Sequence, residues 1–313
     1  MNQKEMRTVY AETLIELAHE DPRIMVLEAD LMRAHGTQIF KDVFPRRTVG
    51  VGVAEANLVG VSAGLSVAGK IPFAATFATF ASRRAFDQFF ISANYAGLNV
   101  KLVGTDPGVS AAFNGGTHMP FEDIGLMRMI PDLVIVEPAD PTSLKEIIRL
   151  CAAHQGNTYL RLHRKALPQI YQAGERFELG KGKLLHDGGD VTLVASGGLL
   201  VNEALKAREL LKSRGISAAV IDMHTIKPLD EQLILEYAEK TGAIVTAENH
   251  QVAGGLGAAV SLVLSTRHPI PMEMVGIHDR FGQVGTQDWL MQHYKLTADE
   301  IVRKAFLALT RKH

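Results

Sequence analysis

Short aliphatic and β-branched runs at 24–28, 48–53, 71–76, 99–104, 133–137 and 158–162 alternate with segments of helical periodicity. This alternation limits the fold more than any other feature, because parallel strands need a long crossover and a helix makes one compactly. Helices are expected at 7–19, with Val9, Leu14, Leu17 and Ala18 on one side, and at 57–68, 83–95 and 141–153. Pro138 stops the fifth run. A second series follows, with strands at 191–195, 218–222, 243–247 and 272–275. A helix at 199–214 is closed by Gly215, and a last helix covers 298–311. The segment 171–189 is polar and turn-rich and reads as a linker. The expectation is an α/β chain of two doubly wound domains, 1–170 and 190–313, which suits a length of 313 residues. Ligands of such sheets lie beyond the carboxyl ends of the strands.

Glu55 stands alone in the apolar, glycine-rich stretch 49–64, with no lysine or arginine between Thr48 and Gly69. A carboxylate is costly to bury without a partner. Glu55 is therefore either a helix N-terminal acid that sees water or a buried group kept protonated to donate a hydrogen bond. The following helix, 57–68, is nearly apolar all round and is expected to be buried.

A formal net charge of −1 offers no basic face for nucleic acid or an anionic membrane. No apolar run is long enough to span a bilayer. The polar start, Met1 to Glu5, does not read as a signal peptide, and the single cysteine, Cys151, leaves no internal disulfide. A cytoplasmic setting is expected. The histidines, His19, His154 and His224 among them, show no metal-ligand grouping. The glycine-rich stretch 105–118 is long for a loop inside a compact domain, which marks it as functional. Gly254-Gly-Leu-Gly257 opens a helix but lacks the spacing of a dinucleotide fingerprint, which disfavours a phosphate role.

Several short motifs fall in one order. They are Asp30-Leu31 after a strand, Glu55 in Gly-Val-Ala-Glu-Ala-Asn, Thr76-Phe-Ala-Thr-Phe80, Gly115-Gly-Thr-His-Met-Pro120 and His163-Arg-Lys-Ala-Leu-Pro168. Together they resemble the C-terminal half of transketolases, the thiamine diphosphate enzymes that move two-carbon ketol units. The likeness runs from about Arg7 to the last helix. It implies a pyrimidine-binding domain followed by a transketolase C-terminal-like domain. The family's Gly-Asp-Gly motif for diphosphate and magnesium has no match, since Asp187-Gly-Gly-Asp190 differs. The resemblance therefore implies one subunit of a split enzyme. A partner chain would hold the diphosphate and Mg2+, in a heterotetramer of two unlike chains acting on sugar phosphates.

Roles follow from the resemblance residue by residue. Glu55 would hydrogen-bond the cofactor's pyrimidine ring, and His118 would assist proton transfer; otherwise His118 is a loop histidine in solvent. Phe77 and Phe80 would form an aromatic slot for the pyrimidine, or else pack in the core. Arg83 replaces the tyrosine that usually edges the slot. Asp30 would lie near the cofactor and the interface between chains, or cap the helix before Met32. Arg7 and Arg164 match two arginines that hold the sugar phosphate. The serine that assists them is replaced by Ala34, flanked by Arg33 and His35, and His35 is the candidate to compensate. A loop histidine becomes Asp106, and the aspartate that reads sugar hydroxyls becomes Asn114. These changes imply an unusual or branched ketose with its phosphate kept. The rival readings are the β subunit of a 2-oxoacid dehydrogenase E1 component, an unsplit deoxyxylulose-phosphate synthase-like chain, and a non-catalytic binding or regulatory subunit.

Overall fold

The computed structural model describes residues 4–312; the first three residues of the polar start and His313 lie outside the described residues. The chain forms β1 (Ile24–Glu28), β2 (Thr48–Gly50), β3 (Ile71–Phe77), β4 (Lys101–Thr105), β5 (Val134–Val136), β6 (Thr158–Leu162), β7 (Lys183–His186), β8 (Val191–Ala195), β9 (Ala218–Asp222), β10 (Thr225–Lys227), β11 (Ile244–Gln251) and β12 (Met272–Ile277). They make a 7-stranded sheet ordered β10-β5-β6-β4-β3-β1-β2 and a 5-stranded sheet ordered β12-β11-β8-β9-β7. All pairings are parallel except β10 with β5 and β7 with β9. β1, β3, β4 and β6 are buried along their whole length or nearly so, as strands covered on both faces must be.

The helix Met6–Glu20 buries Met6, Tyr10, Leu14 and Leu17 against this sheet. Its first turn is tied down by the Arg7 amide, which donates to the Arg164 carbonyl at 3.1 Å. Sequence-distant Arg7 and Arg164 are thereby made neighbours. The helix Pro141–Ala153 starts where expected, because Asp140 accepts from the Ser143 amide and the Ser143 hydroxyl returns the bond.

Several expectations need correction. The run 83–95 is a short α-turn, Phe86–Gln88, followed by π-helical winding over Phe89–Tyr95. Within it the Asn94 amide takes the Phe89 carbonyl, a local competitor of the α ladder. The segment 171–189 contains β7, and β10 leaves the second series to join the first sheet. The helix Glu55–Val67 is buried on one side only. Glu55, Leu58, Val59, Ser62 and Ala63 face inward, while Gly60, Gly64 and Val67 are exposed.

A buried ion network joins the two sheets. Arg161, fully buried on β6, donates to Asp123, Glu137 and the Asn249 carbonyl. Removing one partner from such a cluster costs about 3–5 kcal/mol, because it strands a buried charge. Asn249 also brackets the 105–118 segment, donating to the Pro107 carbonyl and accepting from the Val109 amide, both at 2.9 Å.

Candidate functional site

Asp30, Phe77, Asp106 and Arg164 all follow or end parallel strands of the larger sheet, at β1, β3, β4 and β6. Their side chains therefore share one sheet edge, where a doubly wound fold places its ligands. Glu55 reaches the same edge from the first turn of the helix after β2.

Glu55 is buried, with 2% of its surface exposed. It is not without a partner, as the local sequence suggests: Arg84 donates to Oε2 at 2.8 Å. The Arg84 side chain is half-exposed and also lies over the Phe80 ring, 4.3 Å from its centroid. Phe77, Phe80 and His118 surround one spot, with ring centroids 6.2 Å apart for the phenylalanine pair and 5.8 and 5.2 Å from each to the imidazole. Both phenylalanines are only half-buried, so they form a rim and not a closed core.

Arg83 does something other than edge this rim. Its guanidinium bonds the Thr79 hydroxyl, the Thr117 carbonyl at 3.1 Å and Glu122. It straps the Gly116–His118 turn to the helix Ala78–Ser82 and so positions His118. The expected loop is itself built of tight turns, Gly108–Asn114 and Gly116–His118, with Ala112 in a left-handed conformation at φ 47°. Asn114 ends the first of these turns and is exposed.

On the other side, Arg7 and Arg164 both reach the Ala34 carbonyl, at 3.2 and 3.4 Å. Arg164 also lies over Phe77, 5.4 Å from its centroid, which links the arginine pair to the aromatic rim. Each arginine carries its own carboxylate: Arg7 bonds Glu5 and Arg164 bonds Asp106, both at 2.6 Å. Asp106 is buried in a left-handed turn at φ 53°, and both its oxygens lie 2.6 Å from Arg164 Nε. Burial pushes its carboxyl up, and the Arg164 charge works against that.

His35 is not placed to touch a ligand. It is fully buried, with Nδ1 at 2.7 Å from Glu28 and Nε2 at 2.9 Å from the Thr105 hydroxyl. Both ring nitrogens are used, so His35 positions the strand ends beneath the site. Local sequence reading passed over Glu28, which carries the same signal as Glu55, a lone acid ending an apolar run. Asp30 is exposed at φ 64° and does not cap the next helix, whose N-cap is Leu31 without a side-chain bond. It borders a cleft of about 680 Å³ together with Arg33, Ala34 and Lys41. The Gly254–Gly257 turn holds an internal carboxyl group: Glu248 accepts from the Leu256 and Gly257 amides, both at 2.7 Å, while its burial pushes its pKa up to about 8.

Comparison with known proteins agrees with this geometry. Residues 2–169 match the model of the transketolase pyrimidine binding domain, and 180–301 match the transketolase C-terminal domain. A 6-deoxy-6-sulfo-D-fructose transketolase subunit of Clostridium sp. (strain MSTE9) is 48% identical over 98% of this chain and 95% of its own length. One subunit of the apulose-4-phosphate transketolase of Phocaeicola vulgatus is 35% identical, covering 96% of each chain. Among solved structures, a split gene transketolase described as an inactive beta4 tetramer superposes with a TM-score of 0.93 at 44% identity, over 99% of both chains. Transketolase of Campylobacter jejuni shares the fold, with a TM-score of 0.79 at 20% identity, and this chain spans 46% of it. The chain belongs to the transketolase family, as a ketol transferase subunit made of the pyrimidine-binding and C-terminal domains.

Proposed function

We propose that this chain works with an unlike partner, as two copies of each, to move a two-carbon ketol unit from an unusual ketose with an anionic tail to an aldehyde acceptor. The family implies thiamine diphosphate, which when bound would supply a carbon nucleophile for the ketose carbonyl. The partner would hold the diphosphate and its magnesium in a cytoplasmic assembly. The residues here fit the aminopyrimidine end. Phe77, Phe80 and His118 give a half-open aromatic rim, and Oε1 of buried Glu55 accepts no hydrogen bond among the described residues.

In this reading Glu55 shares a proton with the pyrimidine ring, while Arg84, half in solvent, swings aside or shares the carboxylate. The phenylalanines pack against the flat ring and exclude water. His118, held by the Arg83 strap, faces the reacting carbonyl and moves a proton to or from its oxygen. Arg7 and Arg164 take the far end of the sugar. Asp30 stands at the cleft mouth near the partner, and exposed Asn114 reads hydroxyls from the loop. The exposed face of Val53, Gly60, Gly64 and Val67 beside Glu55 supports contact with another chain.

One observation carries the reading: a buried carboxyl, an aromatic rim and an arginine pair share a single sheet edge. The test is ketol transfer by the chain mixed with a partner bearing Gly-Asp-Gly and a downstream asparagine. The mixture should transfer ketol units, and Glu55→Gln should lower kcat by roughly 10²-fold or more with its circular dichroism spectrum kept. Decarboxylation of a 2-oxoacid without ketol transfer would instead favour the dehydrogenase reading.

A further inference from the structure

The arginine pair is already compensated. Arg164 lies 2.6 Å from Asp106, and Arg7 lies 2.6 Å from Glu5, so each guanidinium meets a ligand as half of an ion pair. Glu5 is exposed enough to move away, with 42% of its side chain in solvent. Asp106 is not: it is 3% exposed and pinned in a turn, with both carboxylate oxygens 2.6 Å from Arg164 Nε. An anion gripped by Arg164 must therefore sit close to a buried carboxylate. A phosphate monoester is nearly a dianion at neutral pH, with its second pKa about 6. A sulfonate carries one charge at any such pH and has three acceptor oxygens. Like-charge juxtaposition costs several kcal/mol where water is scarce, and that cost grows with the charge of the ligand. No hydroxyl stands at position 34 to offset this, since the residue is alanine.

We propose that Asp106 selects the ketose tail by charge, admitting a singly charged sulfonate and disfavouring a doubly charged phosphate. This rests on the transketolase reading above and names the substrate class of the same site. Arg7 and Arg164 bind the sulfonate oxygens, with Asp106 held against Arg164 beside them. Arg33 and Lys41, on the rim of the adjoining cleft, draw in the anion without adding a charge beside Asp106.

Two measurements on the assembled two-chain enzyme test the inference. The first is calorimetric binding of two unreactive three-carbon tails, 2,3-dihydroxypropane-1-sulfonate and glycerol 3-phosphate. The sulfonate should bind at least about tenfold more tightly. Asp106→Asn, which keeps a residue tolerant of positive φ, should narrow that ratio about fivefold or more, and Asp106→His further. The second is kcat/KM for 6-deoxy-6-sulfo-D-fructose against D-fructose 6-phosphate, where the same change of ratio is expected. Phosphate binding as tight as sulfonate in the wild type, binding of neither tail, or a ratio unmoved by both substitutions would overturn it. Transfer from an uncharged four-carbon ketose separates the two claims. Its presence alongside a failed tail test sinks only the charge selection, and its absence counts against the transketolase reading itself.

Discussion

Asp222 ends β9 with its carboxyl fully buried, accepting from the Tyr171 hydroxyl at 2.6 Å while Oδ1 has no partner. Burial pushes its pKa up to about 7, against the Tyr171 bond, which lowers it. A carboxyl raised in this way takes up a proton as the chain folds. Its contribution to stability is whole below the ordinary value of 3.8 and is lost as pH rises through about 7. Asp222→Asn removes that slope, so the variant should gain on the wild type by roughly 1–3 kcal/mol between about pH 5 and pH 8. Urea unfolding at the two pH values measures the gain, and an unchanged difference would mean that Asp222 does not titrate on folding. Single residues also show how far the sequence could be read. Glu55 was legible because every neighbour is apolar. Its partner was not, since Arg84 lies 29 positions on and only the turn after the helix Ala78–Ser82 brings it back. His35 misled because a polar residue beside a candidate site reads as a contact until its burial is known.

At the scale of elements, the Tyr159 ring of β6 lies over Gly104 of β4 and leaves no room for a side chain: a Cβ there would overlap the ring, whose hydroxyl is held by Asp123 at 2.9 Å. Gly104→Ala should therefore cost about 1–3 kcal/mol through overpacking. Chemical denaturation checks this, and a loss under about 0.5 kcal/mol would show that the ring can retreat. Elements with strong local signals were readable. The helix Pro141–Ala153 announces itself by Asp140, Pro141 and Ser143, and β1 by the apolar run 24–27. β7 was not readable, because its residues alternate half-buried and exposed at a sheet edge within a polar segment. Nor was β10, three residues whose strand character comes only from pairing with β5.

Across the whole molecule, the two sheets do not divide where the polar segment suggests. β10 belongs to the second half of the chain yet edges the first sheet, and Arg161 and Asn249 tie the halves through buried hydrogen bonds. A fragment of residues 4–170 would expose the β5 edge and take the Asn249 carbonyl away from Arg161, so it should aggregate or stay partly unfolded when expressed alone. A dispersed amide NMR spectrum from that fragment would refute this. The placement of β10 also bears on ancestry. A recombination breakpoint between β6 and β7 gives the first sheet a foreign edge strand, and one between β10 and β11 splits the second sheet. No single exchange with a diverged relative leaves both sheets native, so lineages of this chain should inherit their halves together.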